Sequence, residues 1–194
     1  MTPDPIYLAD AVIVGGGPAG SSCARVLHRA GWNVLVMDRA RFPRDKVCAG
    51  WVTPGVFSLL DLHPDEYRAT GLTMQPLRGF RTSVMGKPTI ETRYPQTISY
   101  AIRRCEFDEY LLRRSGTRVL EATPLGSLER RGDQWIVNGQ IRTPVVIGAG
   151  GHFCPVARYL AGGSAARTIP APPQDLPHVR RSRGPAVVVA KEGE

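Results

Sequence analysis

The sequence predicts an α/β fold, because its clearest pattern is a β-α-β unit near the amino terminus. Ala11–Val14 is a short apolar run of the kind that forms a buried strand. A glycine-rich turn at residues 15–20 follows and leads into a helical pattern that Gly31 ends. Asn33–Met37 is a second apolar strand. A unit of about 30 residues with this order requires two parallel strands and a right-handed crossover.

Apolar residues at helical spacing assign one face of the crossover helix to the sheet. They are Ala19, Cys23, Val26, Leu27 and Ala30. The polar residues that fall largely on the other side are Ser21, Ser22, Arg25, His28 and Arg29. We therefore expect the first set to be covered and the second to face solvent.

The remainder of the chain predicts a mixture of short strands and helices. The expected elements are a loop at Arg41–Pro54, a helix at Val56–Leu62, antiparallel strands within Arg78–Tyr100, a helix at Glu106–Ser115, strands within Arg118–Val137 and a strand at Thr143–Ala149. Gly162–Pro185 is rich in Gly, Pro, Ala and Arg and is typical of a linker. Ala186–Ala190 is a lone strand candidate with no later segment to pair with.

Composition is that of a globular chain with a basic surface. The 194 residues include 42% hydrophobic residues and carry a formal net charge of +8. No apolar run is long enough to span a bilayer, and no secretory leader pattern is present, so we expect a cytoplasmic protein. Its four cysteines lack zinc-site spacing, and no metal is expected.

Arginine supplies most of the positive charge, which raises the question of an anionic partner. A phosphate-bearing ligand, a membrane surface and nucleic acid are all compatible with it. The basic segment His178–Arg183 is short and lacks aromatic side chains for stacking, so no nucleic-acid partner is expected.

The glycine-rich turn predicts a dinucleotide site, because it follows a strand and opens a helix. Gly15 permits the tight turn, Gly17 lets a pyrophosphate approach the backbone, and Gly20 lets the helix pack on the strand. The helix amino terminus then faces the phosphates. Asp38 lies at the end of the second strand, where its carboxylate would accept from a ribose and oppose a 2′-phosphate. This pattern does not separate FAD from NAD.

Three segments in order resemble the geranylgeranyl reductase family of FAD-dependent, hydroxybenzoate-hydroxylase-like flavoproteins. They are residues 15–20, residues 38–50 with the pattern F-P-R-D-K-x-C, and residues 104–108. The resemblance implies a Rossmann-like FAD-binding domain interrupted by an antiparallel β substrate domain. By this division, residues 1–75 and 101–160 form the FAD-binding domain, residues 76–100 begin the substrate domain, residues 161–185 are a linker, and residues 186–194 begin a further strand.

The resemblance also implies which residues contact FAD. Gly15, Gly17, Pro18, Ala19 and Gly20 would hold the pyrophosphate, and Asp38 and Arg39 the adenosine end. Cys48, Ala49 and Gly50 would lie near the flavin, and Arg104 would face the phosphate and ribitol, where a guanidinium offers a planar fork of donors. The alternative for Arg104 is an arginine at a helix start that points at water. No catalytic residue is assigned.

Two departures from the family pattern stand out. Gly150 occupies the place of an acidic residue in the second flavin motif. A third motif, Gly-Asp followed by small residues, is not found, which implies the amino-terminal half of a larger flavoprotein. His152 and Cys154 in the second motif are expected to be loop residues and not metal ligands.

The resulting expectation is an FAD-binding oxidoreductase that reduces an isoprenoid or other hydrophobic substrate, with NAD(P)H as the candidate reductant. A lipid substrate would bring peripheral contact with a membrane. Two alternatives stay open. One is an FAD- or ADP-binding remnant without catalysis, and the other is the amino-terminal half of a flavin monooxygenase or halogenase.

Overall fold

The computed structural model describes residues 7–161 and 186–189. It divides into two compact units, the first formed by residues up to 42 and from 108 onward, the second by residues 43–107. The strands are β1 (Tyr7–Leu8), β2 (Ala11–Val14), β3 (Val34–Met37), β4 (Trp51–Val52), β5 (Met74–Leu77), β6 (Gly79–Thr82), β7 (Ile90–Arg93), β8 (Ser99–Ile102), β9 (Arg118–Leu120), β10 (Leu128–Arg131), β11 (Gln134–Val137), β12 (Ile141–Thr143), β13 (Val145–Gly148) and β14 (Ala186–Val189). The α-helices are α1 (Pro18–Arg29), α2 (Pro54–Leu59), α3 (Pro64–Ala69), α4 (Arg104–Arg114) and α5 (Pro155–Leu160).

A parallel five-stranded sheet forms the centre of the first unit, in the order β14-β13-β2-β3-β9. All of its strand pairs are parallel. Val14 pairs with Met37 on one side and with Gly148 on the other. Strand β2 therefore lies inside the sheet, which explains why all four of its residues are buried. The predicted α/β class and β-α-β unit are confirmed.

Buried side chains cover both faces of this sheet. Val12, Val14 and Met37 pack in one cluster with the mixed sheet β1-β12-β11-β10, through Trp135 and Val137. The other cluster holds the alternate strand residues and helix residues, among them Ile13, Val36, Ala24, Leu112 and Phe42. Alternation of side chains along each strand produces this division.

The crossover helix α1 has nearly the predicted bounds but a rotated buried face. Ala19, Cys23 and Leu27 pack on the core as expected. Val26, which was assigned to the sheet, is 68% exposed, while Ser21 and Ala24 are buried. The exposed Ala30 was also misassigned. Small residues let the helix approach the sheet closely, so the contact line runs through them and not through the larger valine.

The carboxyl-terminal strand candidate has a partner. Strand β14 pairs in parallel with β13, from Val145 beside Ala186 to Gly148 beside Val189. The expectation that this strand has no partner was wrong, because β14 forms the edge of the parallel sheet beside β13, an earlier strand of the chain. The linker predicted at residues 162–185 lies outside the described residues.

The second unit is built on antiparallel strands, as the sequence predicts for residues 78–100. It contains a three-stranded sheet, β4-β8-β5, and a two-stranded hairpin, β6-β7. The same unit contains an edge-to-face aromatic cluster formed by Phe57, Tyr67, Tyr100 and Phe107. Helix α3 and strand β5 were not predicted. The domain boundaries implied by the family resemblance stay a prediction.

Among the described residues, no helix combines the length and apolar character that a membrane crossing requires.

Candidate functional site

The glycine-rich turn of the first unit is closed against the neighbouring strand end. Gly15 has a φ of +117°, and its N–H donates to the carbonyl of Met37 at 2.8 Å. A Cβ at Gly15 would overlap the carbonyl oxygen of Ala149 and lie 2.8 Å from the amide nitrogen of Gly150. Both the backbone angle and the lack of space therefore require glycine at this position.

Gly20 permits close packing inside the same turn. A Cβ there would overlap the carbonyl oxygen of Gly15 and lie 3.3 Å from the Cβ of Ala149. Any larger residue would push helix α1 away from the end of β2. The role predicted for this glycine agrees with its geometry.

The amino terminus of α1 is suited to an anion. Gly17 is the N-cap, no side chain caps the helix, and no acidic residue lies in the first turn. His28 and Arg29 occupy the last turn, where positive charge suits the opposite end of the dipole. The amides of the first turn have no acceptor within the helix, so an oxyanion is the natural partner.

Both carboxylate oxygens of Asp38 accept hydrogen bonds from backbone N–H groups, and one of these groups belongs to the glycine turn. Oδ2 accepts from the N–H of Gly16 at 2.7 Å, and Oδ1 accepts from the N–H of Ala40 at 2.8 Å. The bond to Gly16 joins the ends of β2 and β3, which the parallel pairing already brings together. Each oxygen retains a further lone pair for a ligand hydroxyl.

The segment predicted as a second flavin motif lies beside the glycine turn. Strand β13 pairs with β2, and the N–H of Ala149 donates to the carbonyl of Val14 at 2.8 Å. Gly150 is exposed at this edge. Because Gly150 has no acidic side chain, this position can offer a ligand only its backbone amide and carbonyl groups.

The second unit brings together the other predicted residues. Arg104, the first residue of α4, donates from Nη1 to Cys48 Sγ at 3.4 Å, and the N–H of Gly50 lies 3.4 Å from the same sulfur. Gly50 has a φ of +68°, and its carbonyl accepts from Ile102 at 2.7 Å. The expectation that Arg104 only points at water is thus not met. Ala49 is exposed beside this cluster.

The remaining predicted residues lie at the rim of the glycine turn. Pro18 and Ala19 are half-buried in the first turn of α1, and Arg39 is exposed directly after Asp38. The first unit therefore gathers the residues expected at the pyrophosphate and adenosine, and the second unit gathers those expected at the flavin. Their assignment to a cofactor stays a prediction.

Sequence reasoning missed a residue that positions the turn. Ser21 is buried, and its hydroxyl donates to the carbonyl of Gly16 at 2.9 Å. The helical pattern placed Ser21 on the solvent side, so nothing in the periodicity signalled this role. A serine one residue after the last glycine is the signal that could have found it.

Among the residues that the structure describes, Cys23 and Glu106 have shifted pKa values. Burial raises the pKa of the Cys23 thiol on α1. The backbone N–H of Thr73, which donates to Glu106 Oε2 at 2.8 Å, holds the pKa of that carboxyl below its usual range. Neither group is a predicted site residue. Within residues 7–161 and 186–189, no cluster of His, Cys, Asp and Glu could hold a metal ion.

These features define a class of protein. A parallel sheet, a glycine-rich turn with an open helix amino terminus, and a carboxylate at the next strand end are the marks of a Rossmann-type dinucleotide-binding fold. Residues 10–104 match the family described as FAD dependent oxidoreductase. The sequence-based assignment to the FAD-dependent oxidoreductases, with geranylgeranyl reductases among the homologues, is confirmed, and FAD is the cofactor of this class.

Named relatives agree with this class. The chain is 40% identical over 111 residues to menaquinone reductase of Mycobacterium tuberculosis, covering 52% of this chain and 25% of the relative. It is 31% identical over 169 residues to digeranylgeranylglycerophospholipid reductase 3 of Methanosphaera stadtmanae, covering 77% and 41%. The solved structure of CmlS, a flavin-dependent halogenase, superposes with a TM-score of 0.59 at 27% identity, covering 80% and 32%.

The chain spans between a quarter and about two fifths of the length of the two reductases it matches.

Proposed function

We propose that this chain is the FAD-binding part of an oxidoreductase that reduces a hydrophobic, isoprenoid-bearing substrate. The glycine turn against Ala149, together with Asp38 bonded to Gly16, is the observation that carries the proposal. Both reductase relatives act on lipids by their names, menaquinone and a digeranylgeranylglycerophospholipid. We propose NAD(P)H as the reductant and no nucleic-acid partner.

The pyrophosphate of FAD fits the start of helix α1. Gly17, Pro18, Ala19 and Gly20 present backbone without large side chains, so phosphate oxygens can reach the free amides. Pro18 has no N–H to leave unpaired at this position. Gly15 keeps the turn tight enough for the phosphates to sit over the helix axis.

The adenosine end fits beside Asp38. Its two oxygens are held by backbone N–H groups, so the carboxylate is oriented before any ligand arrives. The remaining lone pairs would accept from the ribose hydroxyls. A 2′-phosphate would meet a fixed negative charge, so the phosphorylated nicotinamide nucleotide does not belong in this slot.

Cys48, Ala49, Gly50 and Arg104 would hold the flavin and ribitol side. The bond from Arg104 to Cys48 supports this assignment, because it joins two segments that lie 56 residues apart. A guanidinium is a suitable group for this place, because its planar fork of donors matches phosphate and ribitol oxygens. Gly50 fixes the loop, since a Cβ there would overlap the carbonyl oxygen of Ile102.

FAD, when bound, supplies hydride transfer to the substrate. The residues of this chain bind and orient it, and no side chain is assigned as an acid or base.

A spectrum of the purified chain tests the proposal. We expect flavin absorption at one FAD per chain after loading, bleaching when a reduced nicotinamide nucleotide is added, and return of the absorption when a lipid quinone or isoprenoid acceptor follows. A loaded protein that no reductant bleaches would contradict the proposed reductase activity.

A flavin-dependent halogenase is the second candidate, favoured by the 27% identical structure of CmlS. A parallel assay with reduced FAD, an aromatic substrate, chloride and oxygen separates the two, because only a halogenase yields a chlorinated product. A chain that binds ADP yet gains no flavin bands would instead support the remnant without catalysis.

A further inference from the structure

A buried serine of helix α1 holds the glycine turn from the helix side. Ser21 is 1% exposed, and its hydroxyl donates to the carbonyl of Gly16 at 2.9 Å. Its backbone N–H donates to the carbonyl of Gly17, also at 2.9 Å. Two consecutive carbonyls of the turn therefore point toward the same residue of the helix.

Gly16 is bound on both sides of its Cα atom. Its N–H donates to Asp38 Oδ2 at 2.7 Å, and its carbonyl accepts from Ser21. A Cβ at Gly16 would lie 3.2 Å from the side chains of Phe42 and Leu112, so the core packs against a third side. Asp38 thus fixes the peptide before Gly16, and Ser21 fixes the peptide that joins Gly16 to Gly17.

The bond from Ser21 sets the direction of the Gly17 N–H. In a planar trans peptide, the carbonyl of one residue and the N–H of the next point in opposite directions. Because the Gly16 carbonyl is held toward Ser21, the Gly17 N–H points away from that residue. Gly17 is buried, and within the part of the chain that the structure describes its N–H has no acceptor. A buried N–H without a partner is rare in proteins, so this one is suited to an acceptor on a ligand.

Ser21 orients this amide without occupying it. Gly16 offers a carbonyl, so the hydroxyl of Ser21 is the donor in their bond. A serine at the N-cap would instead accept from an amide of the first turn and occupy it. Helix α1 has Gly17 at the N-cap and no side chain that caps it, so its first amides stay open to an oxyanion.

We propose that Ser21 is a positioning residue of the dinucleotide site, which aims the Gly17 N–H at an oxygen of the pyrophosphate. The hydroxyl acts through the peptide between Gly16 and Gly17 and does not touch the ligand. Without the hydroxyl, this peptide can rotate, and the amide loses its fixed direction. Binding of the phosphates then has to order the turn, which lowers the affinity.

This inference deepens the proposed function and rests on it, because a pyrophosphate must occupy the start of α1. The wild-type chain tests the site itself, since it must bind ADP. Variants of Ser21 test only how the turn is held, so the two failures are separate results.

Titration of the full chain with ADP compares two neighbouring serines of one helix. Ser21→Ala should bind ADP roughly three- to tenfold more weakly than the wild type, as expected for the loss of one neutral hydrogen bond. Ser22→Ala is the matched control, because the Ser22 hydroxyl donates to the carbonyl of Pro18 at 2.6 Å, inside the helix. This control should stay within about twofold of the wild type, since such a bond adds little to a helix.

The dependence on phosphate separates positioning from a general loss of structure. Inorganic pyrophosphate should lose affinity in Ser21→Ala by the same factor as ADP. Adenosine, which has no phosphate, should bind the wild type, Ser21→Ala and Ser22→Ala equally. A helix that is only looser would weaken all three ligands together.

The amide signal of Gly17 reports its hydrogen bond directly. In NMR spectra of labelled protein, the Gly17 amide proton should move downfield when ADP is added to the wild type or to Ser22→Ala, because a charged acceptor binds it. The shift should be smaller in Ser21→Ala. Circular dichroism establishes that each variant is folded. If Ser21→Ala does not fold, Ser21→Cys carries the test, since it keeps nearly the same volume with a weaker donor and should also bind ADP more weakly.

Two results would overturn the inference alone. One is equal ADP affinity in Ser21→Ala and Ser22→Ala, with equal shifts of the Gly17 proton. The other is a loss of adenosine affinity as large as the loss of ADP affinity. A wild-type chain that binds neither ADP nor pyrophosphate would overturn the proposed site together with it.

Discussion

Replacing Gly20 with alanine tests whether the glycine turn must be as tight as the structure has it. A Cβ at this position would overlap the carbonyl oxygen of Gly15 and press on Ala149 at 3.3 Å. The neighbour is backbone, so relief requires a movement of the helix start or the turn. Overpacking of this kind costs about 1–3 kcal/mol.

Gly55→Ala is the matched control, because both glycines lie near the start of a helix. At Gly55 the nearest atom to the new Cβ is Thr53 Oγ1 at 3.8 Å, an ordinary contact. Alanine there should gain up to about 1 kcal/mol from helix propensity. The two variants should therefore differ by about 1–4 kcal/mol in unfolding free energy.

Thermal unfolding and ADP titration measure the outcome. We expect Gly20→Ala to melt several degrees below the wild type, and Gly55→Ala to melt at or above it. ADP affinity should fall by about tenfold or more in Gly20→Ala, since the displaced turn no longer presents its amides to the pyrophosphate. Equal melting temperatures and equal ADP affinities in the two variants would show that the glycine turn tolerates a Cβ at residue 20.

Three further predictions concern side chains. Asp38→Ala removes the acceptor of two backbone N–H groups and should lower the free energy of unfolding in urea by about 2–4 kcal/mol. The control Asp10→Ala loses one exposed bond to the N–H of Asn33 and should lower it by about 1 kcal/mol or less. Equal losses in the two variants would contradict the role of Asp38. Because the pKa of Glu106 is lowered in the folded chain, its ionised carboxylate stabilises the fold at pH values above its ordinary pKa, and this stabilisation is lost as the pH falls through the folded-state pKa. Between pH 5 and 3 the wild type should therefore lose stability more steeply than Glu106→Gln. Parallel pH profiles of the two proteins would contradict this. Exposed Cys48 should react with a thiol reagent at pH 8 before Cys23, because burial raises the pKa of the Cys23 thiol. If Cys48 lies at the flavin, bound FAD should slow its reaction. Cys48→Ser must remove the fast phase.

Local pattern predicted the parallel part of the fold well. The strands at residues 11–14 and 34–37 and the helix between them carry their own signals, because apolar runs, the glycine turn and the stop at Gly31 are all local. The burial of Ser21 and the exposure of Val26 could not be predicted in the same way. Helical spacing shows that one face of the helix is apolar, but the sizes of the residues that touch the sheet decide which residues lie at the centre of the buried face.

Pairing between segments that are far apart in the sequence could not be predicted from local patterns. Strand β14 was expected to lack a partner, since the order of strands in a sheet does not follow from the strand's own residues. Helix α3 is six residues long, which is too short for a helical pattern of apolar residues to be recognised. Strand β5 contains Pro76, and a proline within a segment argues against a strand in sequence-based prediction. The bond between Arg104 and Cys48 joins distant segments, so only the family resemblance, and no spacing rule, placed them in one site.

We propose that the glycine turn and Asp38 hold the adenosine and pyrophosphate of FAD. Titration of the cofactor-free chain with FAD, followed by flavin fluorescence and then displaced with ADP, tests it most directly. We expect saturation at one FAD per chain, competition by ADP, and binding weakened by about tenfold or more in Gly20→Ala. A chain that binds neither FAD nor ADP, or whose FAD binding is unaffected by ADP, would contradict it.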